Sequence, residues 1–375
     1  MVIGIVCYPT FGGSGVVATE LGIALAERGH EVHFITYQQP VRLDLLSHNV
    51  HFHEVFVPDY PLFHYQPYEL ALSSKLVDMV KLHKIEVLHV HYAIPHAYAG
   101  YMAKKMLEEQ HIYIPMVTTL HGTDITLVGN HPFYKPAVSF SINNSDVVTS
   151  VSQSLKDDTL RLFDIDKEIF VVPNFIDVEQ QTNSFTECQR DLMAQPEERI
   201  ITHVSNLRPV KRIVDVIEIF DRIQKDLPAK LLMVGEGPEK EMAEELCASK
   251  GIEEKVVFLG NSNEIDKILC FSDLFLLPSE KESFGLAALE AMAFGVPVIS
   301  SNAGGISEVN THGVSGFLSD VGNVDEMGRN AVAILKDPEK LEKYKSQAKN
   351  EALRFDTKNV VPLYESVYQR ALKAL

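Results

Sequence analysis

Two doubly wound α/β domains are what this sequence predicts, on three observations. Short β-rich runs alternate with helical patterns through the first half of the chain, the mark of βα units on a parallel sheet. The alternation stops in a polar, aperiodic segment, 174–198, and then starts again. At 375 residues the chain is also too long for one typical core.

In the first series, strands are expected at 2–7, 31–36, 50–56, 86–90, 115–119, 146–151 and 168–172. The run "MVIGIVCYP" has no basic residue before its apolar stretch, so it reads as a first strand and not as a signal peptide. Helices fall between the strands, for example at 15–28 and 70–83. In the second series, strands are expected near 199–204, 229–234, 255–259, 273–277 and 296–300. The tail, 339–375, is helical in pattern with no strand after it. The expected organisation is a Rossmann-like domain over 1–178, a linker over 179–195 and a second Rossmann-like domain over 196–357, with a helix near 358–375 packing back on the first. Ligands of such sheets bind at the C-terminal ends of the strands, so two facing sheets would hold one in the cleft between them.

Composition narrows the partners. The chain is 46% hydrophobic and 23% charged, which suits a soluble globular protein. It contains no apolar stretch of the roughly 18 residues that a spanning helix needs. A formal net charge of −17 repels nucleic acid and anionic membranes, and an anionic substrate would need a few local cations to hold it. Cys7, Cys188, Cys247 and Cys270 are widely spaced with no C-x-x-C pair, which suits a reducing cytoplasm and gives no zinc spacing. Histidine is uneven, with 13 of 15 before residue 132, so the first half differs in character.

Gly13-Ser14-Gly15-Val16-Val17-Ala18 fits G-x-G-x-x-G/A after an apolar strand, the letters of a dinucleotide turn. The fingerprint also needs an acidic residue at the end of the second strand, and here that strand ends "YQQP", with Glu31 at its start. NAD is therefore disfavoured. The physical content survives: Gly12, Gly13 and Gly15 allow close backbone approach, and the N-terminus of helix 15–28 favours an anion. A tight packing turn is the alternative.

A second cluster is "SEKESFGLAALEAMAFGVPVI" after the strand "DLFLLP". Glu282 and Glu290 bracket Ser283, Phe284, Gly285 and Leu286, which are expected to form a first helical turn with unpaired N–H groups for a polyhydroxyl ligand, Gly285 keeping the surface open. Taken singly, either glutamate reads as helix-dipole or solvated-face chemistry.

The E-x7-E motif around "SFGL", followed by "EAMAFGVPVI" and "NAGGISEV", resembles the retaining glycosyltransferases of family four, of the GT-B fold. "GGSG", "HGTD", "VPNFID", "SNLRPVKR", "LLMVGEGPE" and "VVFLG" stand in the order of that family across almost the whole chain. The N-terminal motifs "CYPTFGGSGVVATELG", "HEVHFIT", "HVHYAIPHA" and "VTTLHGTDIT" look most like the branch that moves N-acetylglucosamine from its UDP donor (UDP-GlcNAc) to L-malate, at the start of bacillithiol biosynthesis.

The resemblance implies roles. Such an enzyme must stabilise a departing nucleoside diphosphate, the large electrostatic term. Lys211 and Arg208 are implied on the diphosphate, with Asn206 on phosphates or sugar, the N–H groups of Gly13, Ser14 and Gly15 capping the diphosphate, and Arg212 the surface residue of the set. Glu290 is implied on the ribose; Glu282 and the amides at 284–286 on the donor sugar; the backbone at Gly260 and Asn261 on the uracil. His121 is implied beside the donor sugar as a positioning or polarising group, with Asp124 orienting it or capping the next segment, so the catalytic set is His121, Lys211 and Glu282. For the acceptor, Tyr92, Thr118, Thr119, His121 and Asn174 are candidates, with Arg42 or Lys135 as the cation for a dianion. His89 and His91 lie on one strand face, but no third ligand follows at a convincing spacing, so no metal or other cofactor is expected. "DID" at 164–166 matches D-x-D but lies in a polar connector and reads as turn chemistry.

The alternatives are a sister transferase acting on a sugar, an inositol phosphate or a lipid, a UDP-sugar epimerase, an NAD oxidoreductase and a non-catalytic sugar-binding protein. Residues 1–185 hold 11 Lys/Arg against 20 Asp/Glu, so a basic membrane-facing patch is not evident, and the order of "SNLRPVKR" and E-x7-E argues against the epimerase. The enzyme is expected in the cytoplasm, with a homodimer as one expected assembly.

Overall fold

The computed structural model describes residues 1–10, 12–43, 47–59, 61, 63–183, 188, 190–262 and 264–374. The first stretch of chain alternates β1 (Val2–Val6), α1 (Gly13–Glu27), β2 (Glu31–Thr36), β3 (Val50–Glu54), α2 (Tyr68–His83), β4 (Val87–His91), α3 (Tyr98–Glu108), β5 (Met116–Leu120), α4 (Lys135–Asn143), β6 (Val147–Ser150), α5 (Gln153–Leu162) and β7 (Ile169–Val171). The second runs α6 (Val178–Asn183), β8 (Arg199–Val204), α7 (Ile213–Asp226), β9 (Ala229–Val234), α8 (Lys240–Lys250), β10 (Val256–Gly260), α9 (Ile265–Leu269), β11 (Leu274–Leu277), α10 (Leu286–Ala293), β12 (Val298–Ser301), α11 (Ile306–Val309), β13 (Gly316–Ser319), α12 (Val324–Leu335), α13 (Pro338–Ala352) and α14 (Thr357–Lys373).

The chain forms two compact units: residues 1–175 with 357–375, and residues 176–356. The first holds the sheet β3-β2-β1-β4-β5-β6-β7, the second the sheet β10-β9-β8-β11-β12-β13. Every strand pairing is parallel. Both orders place the fourth strand of the unit beside the first, which is the doubly wound arrangement with one switch point per sheet. The switch point lies between β1 and β4 in the first unit and between β8 and β11 in the second.

The central strands are nearly continuous apolar runs because helices cover both faces of a parallel sheet. In β4, β5, β11 and β12 every residue is buried. Helix α7 shows how the second unit closes. It buries Ile213, Val216, Ile217, Phe220 and Ile223 at helical spacing, and these pack with Leu231, Met233 and Leu274 of the sheet. Truncating a fully buried ring such as Phe220 to Ala costs about 3–5 kcal/mol. Helix α14 returns to the first unit, where it buries Tyr364, Val367, Tyr368 and Ala371.

Three local features differ from the sequence expectation. The short edge strand β13, "GFLS", was not anticipated, because four residues bounded by glycine and polar residues carry too little periodicity. The aperiodic segment after 174 contains α6 and a 3-10 turn over Arg190–Leu192. Cys188 and Cys270, 82 residues apart, form a disulfide with Cα atoms 6.0 Å apart, whereas Cys7 and Cys247 are free and buried. Spacing alone gave no sign of the pair, since the second unit's fold brings the segment before β8 to the end of α9. Among the described residues no helix is long and apolar enough to cross a membrane. The "DID" connector is a turn: Asn143 donates to the Asp164 carbonyl at 3.0 Å and accepts from the Asp166 amide at 2.9 Å.

Candidate active site

In the second unit the switch point is built from the loops that follow β8 and β11. Val204 ends β8, and the chain turns through Ser205 to Arg212, with a 3-10 turn over Pro209–Lys211. His203 anchors this loop from below. Its buried ring donates from Nδ1 to the Leu276 carbonyl at 2.9 Å, so Nε2 accepts from Ser205 Oγ at 2.7 Å, and that oxygen accepts from the Leu207 amide at 3.2 Å. Burial lowers the His203 pKa to about 4, so the ring is neutral and this orientation is fixed. The loop after β11 is tied to the same turn, because the Glu280 amide donates to the Val210 carbonyl at 2.8 Å.

This stitching brings two predicted residues together across the switch point. Lys211 Nζ donates to Glu282 Oε1 at 2.5 Å, and Ser279 Oγ donates to the same oxygen at 2.7 Å. The side chains of Lys211 and Glu282 are 21% and 11% exposed, enough to meet a ligand yet shielded from full solvent screening. The Glu282 backbone is fixed by a 2.8 Å bond from the Gly305 amide to its carbonyl. Asn206 and Arg208 lie exposed on the loop after β8. Arg212 is turned aside: its guanidinium holds Asp215 through bonds of 2.6 and 3.1 Å.

The glutamate cluster needs correction in detail. Helix α10 starts at Leu286, so Ser283, Phe284 and Gly285 lie outside it and Glu290 is one turn in. Phe284 is core, buried against Phe355 with ring centroids 5.5 Å apart. Gly285 does not serve to keep a surface open. Its φ is +98°, a backbone shape that favours glycine, and a Cβ there would meet Ile306 Cδ1 at 2.5 Å. Ser283, Leu286 and Glu290 are half-buried. Gly260 closes β10 by accepting from the Gly235 amide at 2.7 Å, and Asn261 is exposed beyond it.

In the first unit the switch point joins the loops after β1 and β4. Here the contact is neutral: Ser14 Oγ and Tyr92 Oη lie 2.5 Å apart. Helix α1 begins at Gly13, two residues earlier than expected. Gly13 and Ser14 stand in its first turn, where amides lack intrahelical acceptors. The Gly15 amide differs, because it donates to the Gly12 carbonyl at 2.9 Å. A Cβ on Gly15 would lie 2.5 Å from the carbonyl oxygens of Tyr8 and Thr10, so this glycine serves the turn itself and not a ligand.

His121 follows β5 and is buried beside His91, with Nε2 2.8 Å from His91 Nδ1. Burial, then the neighbouring imidazole of His96, lowers its pKa to about 3, so it works as a neutral hydrogen-bonding group. The Tyr92 ring packs on His121 at 5.1 Å and on Tyr8 at 5.1 Å, and Tyr92 holds φ +82°, a strained conformation for a bulky residue. Buried Asp124 accepts from the amides of Ala93, His121 and Gly122 at 2.9, 3.2 and 3.0 Å. It therefore locks the loops after β4 and β5 together and leaves the His121 ring to His91.

Of the other acceptor candidates, Thr118, Thr119 and Asn174 are buried, whereas Arg42 and Lys135 are exposed. Thr118 is buried and bonds Ser145 Oγ at 2.7 Å; Thr119 is buried and bonds His89 at 2.7 Å and Thr149 at 2.6 Å. Their hydroxyls complete the core, with His89 bonded in turn to Tyr368 of α14 at 2.8 Å. Asn174 is buried, and its Oδ1 has no partner among the described residues. Exposed Arg42 pairs with Glu20 of α1 at 3.5 Å, whereas Lys135 Nζ sits over the Phe163 ring at 5.6 Å. Sequence reasoning missed Tyr8 and His96, and weighed His91 only as a metal ligand. Each lies at or just past the end of β1 or β4, and that position was the available signal.

Known proteins agree with this architecture. Residues 11–180 match the family described as Glycosyltransferase Family 4, and residues 184–351 match Glycosyl transferases group 1. The chain belongs to glycosyltransferase family four, with the GT-B pair of Rossmann-like domains, and is an enzyme of that class. It is 46% identical to the N-acetyl-alpha-D-glucosaminyl L-malate synthase of Bacillus anthracis over 99% of this chain and 97% of that protein. It is 26% identical to the sulfoquinovosyl transferase SQD2 of Arabidopsis thaliana over 88% of this chain and 65% of that protein. In fold it matches the crystal structure of Anabaena HepE with UDP and glucose, at a TM-score of 0.81 and 21% identity, covering 98% of this chain and 99% of that one.

Proposed function

We propose that this enzyme transfers N-acetylglucosamine from UDP-N-acetylglucosamine to the hydroxyl of L-malate with retention of configuration, the first step of bacillithiol biosynthesis. The observation that carries the donor half is the Lys211–Glu282 pair at the switch point of the second unit. The Bacillus anthracis relative carries the acceptor half.

The bond from the anomeric carbon to the diphosphate breaks with its electrons going to UDP. The bond from the malate hydroxyl oxygen to that carbon forms, and the hydroxyl proton passes to the departing phosphate, which retention places on the same face. In this reading Lys211 exchanges Glu282 for the diphosphate, and Arg208 adds a second cation. That charge does the work a metal would otherwise do. Glu282, released from Lys211, takes donor hydroxyls together with the backbone at 284–286; Glu290 takes the ribose, and the backbone at Gly260 and Asn261 the base. Asn206 supports the phosphates. In the first unit, the amides of Gly13 and Ser14 receive negative charge, Tyr92 and His121 orient the acceptor, and Arg42 is its cation, since Lys135 is held on an aromatic ring.

The test is UDP release from purified protein given UDP-sugars, with and without L-malate and with no added metal. Release from UDP-N-acetylglucosamine should rise when malate is added. No rise overturns the acceptor, and a rise with a sugar or lipid acceptor instead assigns the enzyme to a sister activity.

A further inference from the structure

The uneven histidines of the first half gather at a second place, remote in sequence from the switch-point loops. Strand β2 pairs with β3 in a register that sets His33 opposite His51 and Ile35 opposite His53. Residues two apart on a strand share a face, so His33 and Ile35 point the same way, as do His51 and His53. That face is the one α2 covers, since Ile35 packs in one cluster with Leu72, Leu76, Met79 and Val80. Helix α2 then delivers His83 from its last turn onto the same rings.

The three rings of His33, His53 and His83 converge. Their centroids are 4.4, 4.7 and 5.1 Å apart, and one nitrogen of each lies within 4.8 Å of the others. Nitrogens at the roughly 2.0–2.1 Å bond length of tetrahedral zinc stand about 3.3 Å apart, so the rings turn from their present mutual hydrogen bond to close the set. His33 shows how the protons are arranged. Its Nε2 faces Glu31 Oε1 at 3.2 Å, and its Nδ1 faces His53 Nε2 at 2.8 Å. A carboxylate that takes the Nε2 proton leaves the Nδ1 lone pair aimed into the cluster, which is the outer support a metal-bound histidine commonly has. Burial and the neighbouring imidazoles lower His33 and His53 to about 4, with Lys75 adding to the effect at His53, so both are in the neutral form that ligates.

We propose that His33, His53 and His83 bind one divalent transition-metal ion of the zinc type, with Glu31 holding His33 in its ligating tautomer, so that the ion ties β2, edge strand β3 and the end of α2 together. Three imidazole nitrogens suit zinc, nickel or copper and not magnesium or calcium, which take oxygen ligands. The alternative trio of Glu31, His33 and His51 is weaker, because the side chains of Glu31 and His51 are both 45% exposed. The ion takes no part in sugar transfer; its work is structural.

The experiment is a calorimetric titration of the chelator-stripped full chain with zinc chloride, paired with thermal melts and with the absorption spectrum of the cobalt-loaded protein. One zinc should bind per chain and raise the melting temperature. His53→Gln and His83→Gln should each abolish that site and the zinc-dependent shift, and Glu31→Gln should weaken it about 10–100-fold at unchanged stoichiometry. The proposal is overturned if the wild type binds no zinc, or if both histidine variants bind it as the wild type does. Should neither variant fold, the wild type decides: cobalt must give the intense visible bands of tetrahedral nitrogen coordination, and their absence overturns the site.

Discussion

The two switch points share a topology and differ in chemistry. In the second unit a cation and a carboxylate, Lys211 and Glu282, meet across it. In the first unit two hydroxyls, Ser14 and Tyr92, meet across it, over a bed of neutral, buried histidines. An ion pair that is part exposed can trade one partner for another of like charge, so it is suited to hold and release a diphosphate. A neutral hydrogen-bond network cannot trade charge, but it fixes geometry, which suits the orientation of an acceptor. One doubly wound frame thus carries two chemistries through the residues placed after its first and fourth strands.

Three changes test that contrast, in falling order of effect. Lys211→Ala should cost the most: turnover should fall about 10²–10³-fold, the range for loss of one group that stabilises a developing negative charge. UDP release at saturating donor and acceptor measures it, and a near-native rate would mean that the ion pair of the second unit is structural. Tyr92→Phe should raise the KM for malate about 10-fold, as expected for one lost hydrogen bond, while the KM for the donor stays put. Equal changes in both would erase the division of labour between the two switch points.

The smallest effect is on acid stability, and it should be unequal between the units. In the first unit His89 and His121 are lowered to about 3 and His96 to about 4, and His91 lies well below its usual value, all chiefly by burial. In the second, among the described residues, His203 alone is shifted in this way. A histidine whose folded pKa is depressed binds fewer protons folded than unfolded between the two values. Its stabilising contribution is therefore complete above about 6.5 and is lost as pH falls from there towards about 3. Hydrogen exchange at descending pH should show β4 and β5 losing protection before β8 and β11. Simultaneous loss would contradict the assignment of acid sensitivity to the first unit.

Much of this was legible in the sequence. The apolar runs "VIGIV", "MVTTL" and "LFLL" announce strands because a parallel sheet buries both faces, and the pause after 174 announces the second series. The pairing of Lys211 with Glu282 was within reach, since both follow strands that a doubly wound sheet sets side by side. What could not be read was how a given group is occupied. Thr118 and Thr119 precede His121 as well in a binding loop as in a core, and only the folded structure shows their hydroxyls bonded inward, Thr119 to its register partner Thr149 of β6 and Thr118 to Ser145 just before that strand. Gly285 and Gly15 looked like room for a ligand; their need is a positive φ and an apolar neighbour in one case, and two carbonyl oxygens in the other.

The return of α14 to the first unit has a consequence for synthesis. His89 of β4 is bonded to Tyr368, which is translated after all of the second unit. The second unit is continuous in sequence, whereas the first takes its last helix from beyond it. The half translated first is the half whose sequence is completed last, and its buried histidine network takes a partner from the final residues of the chain.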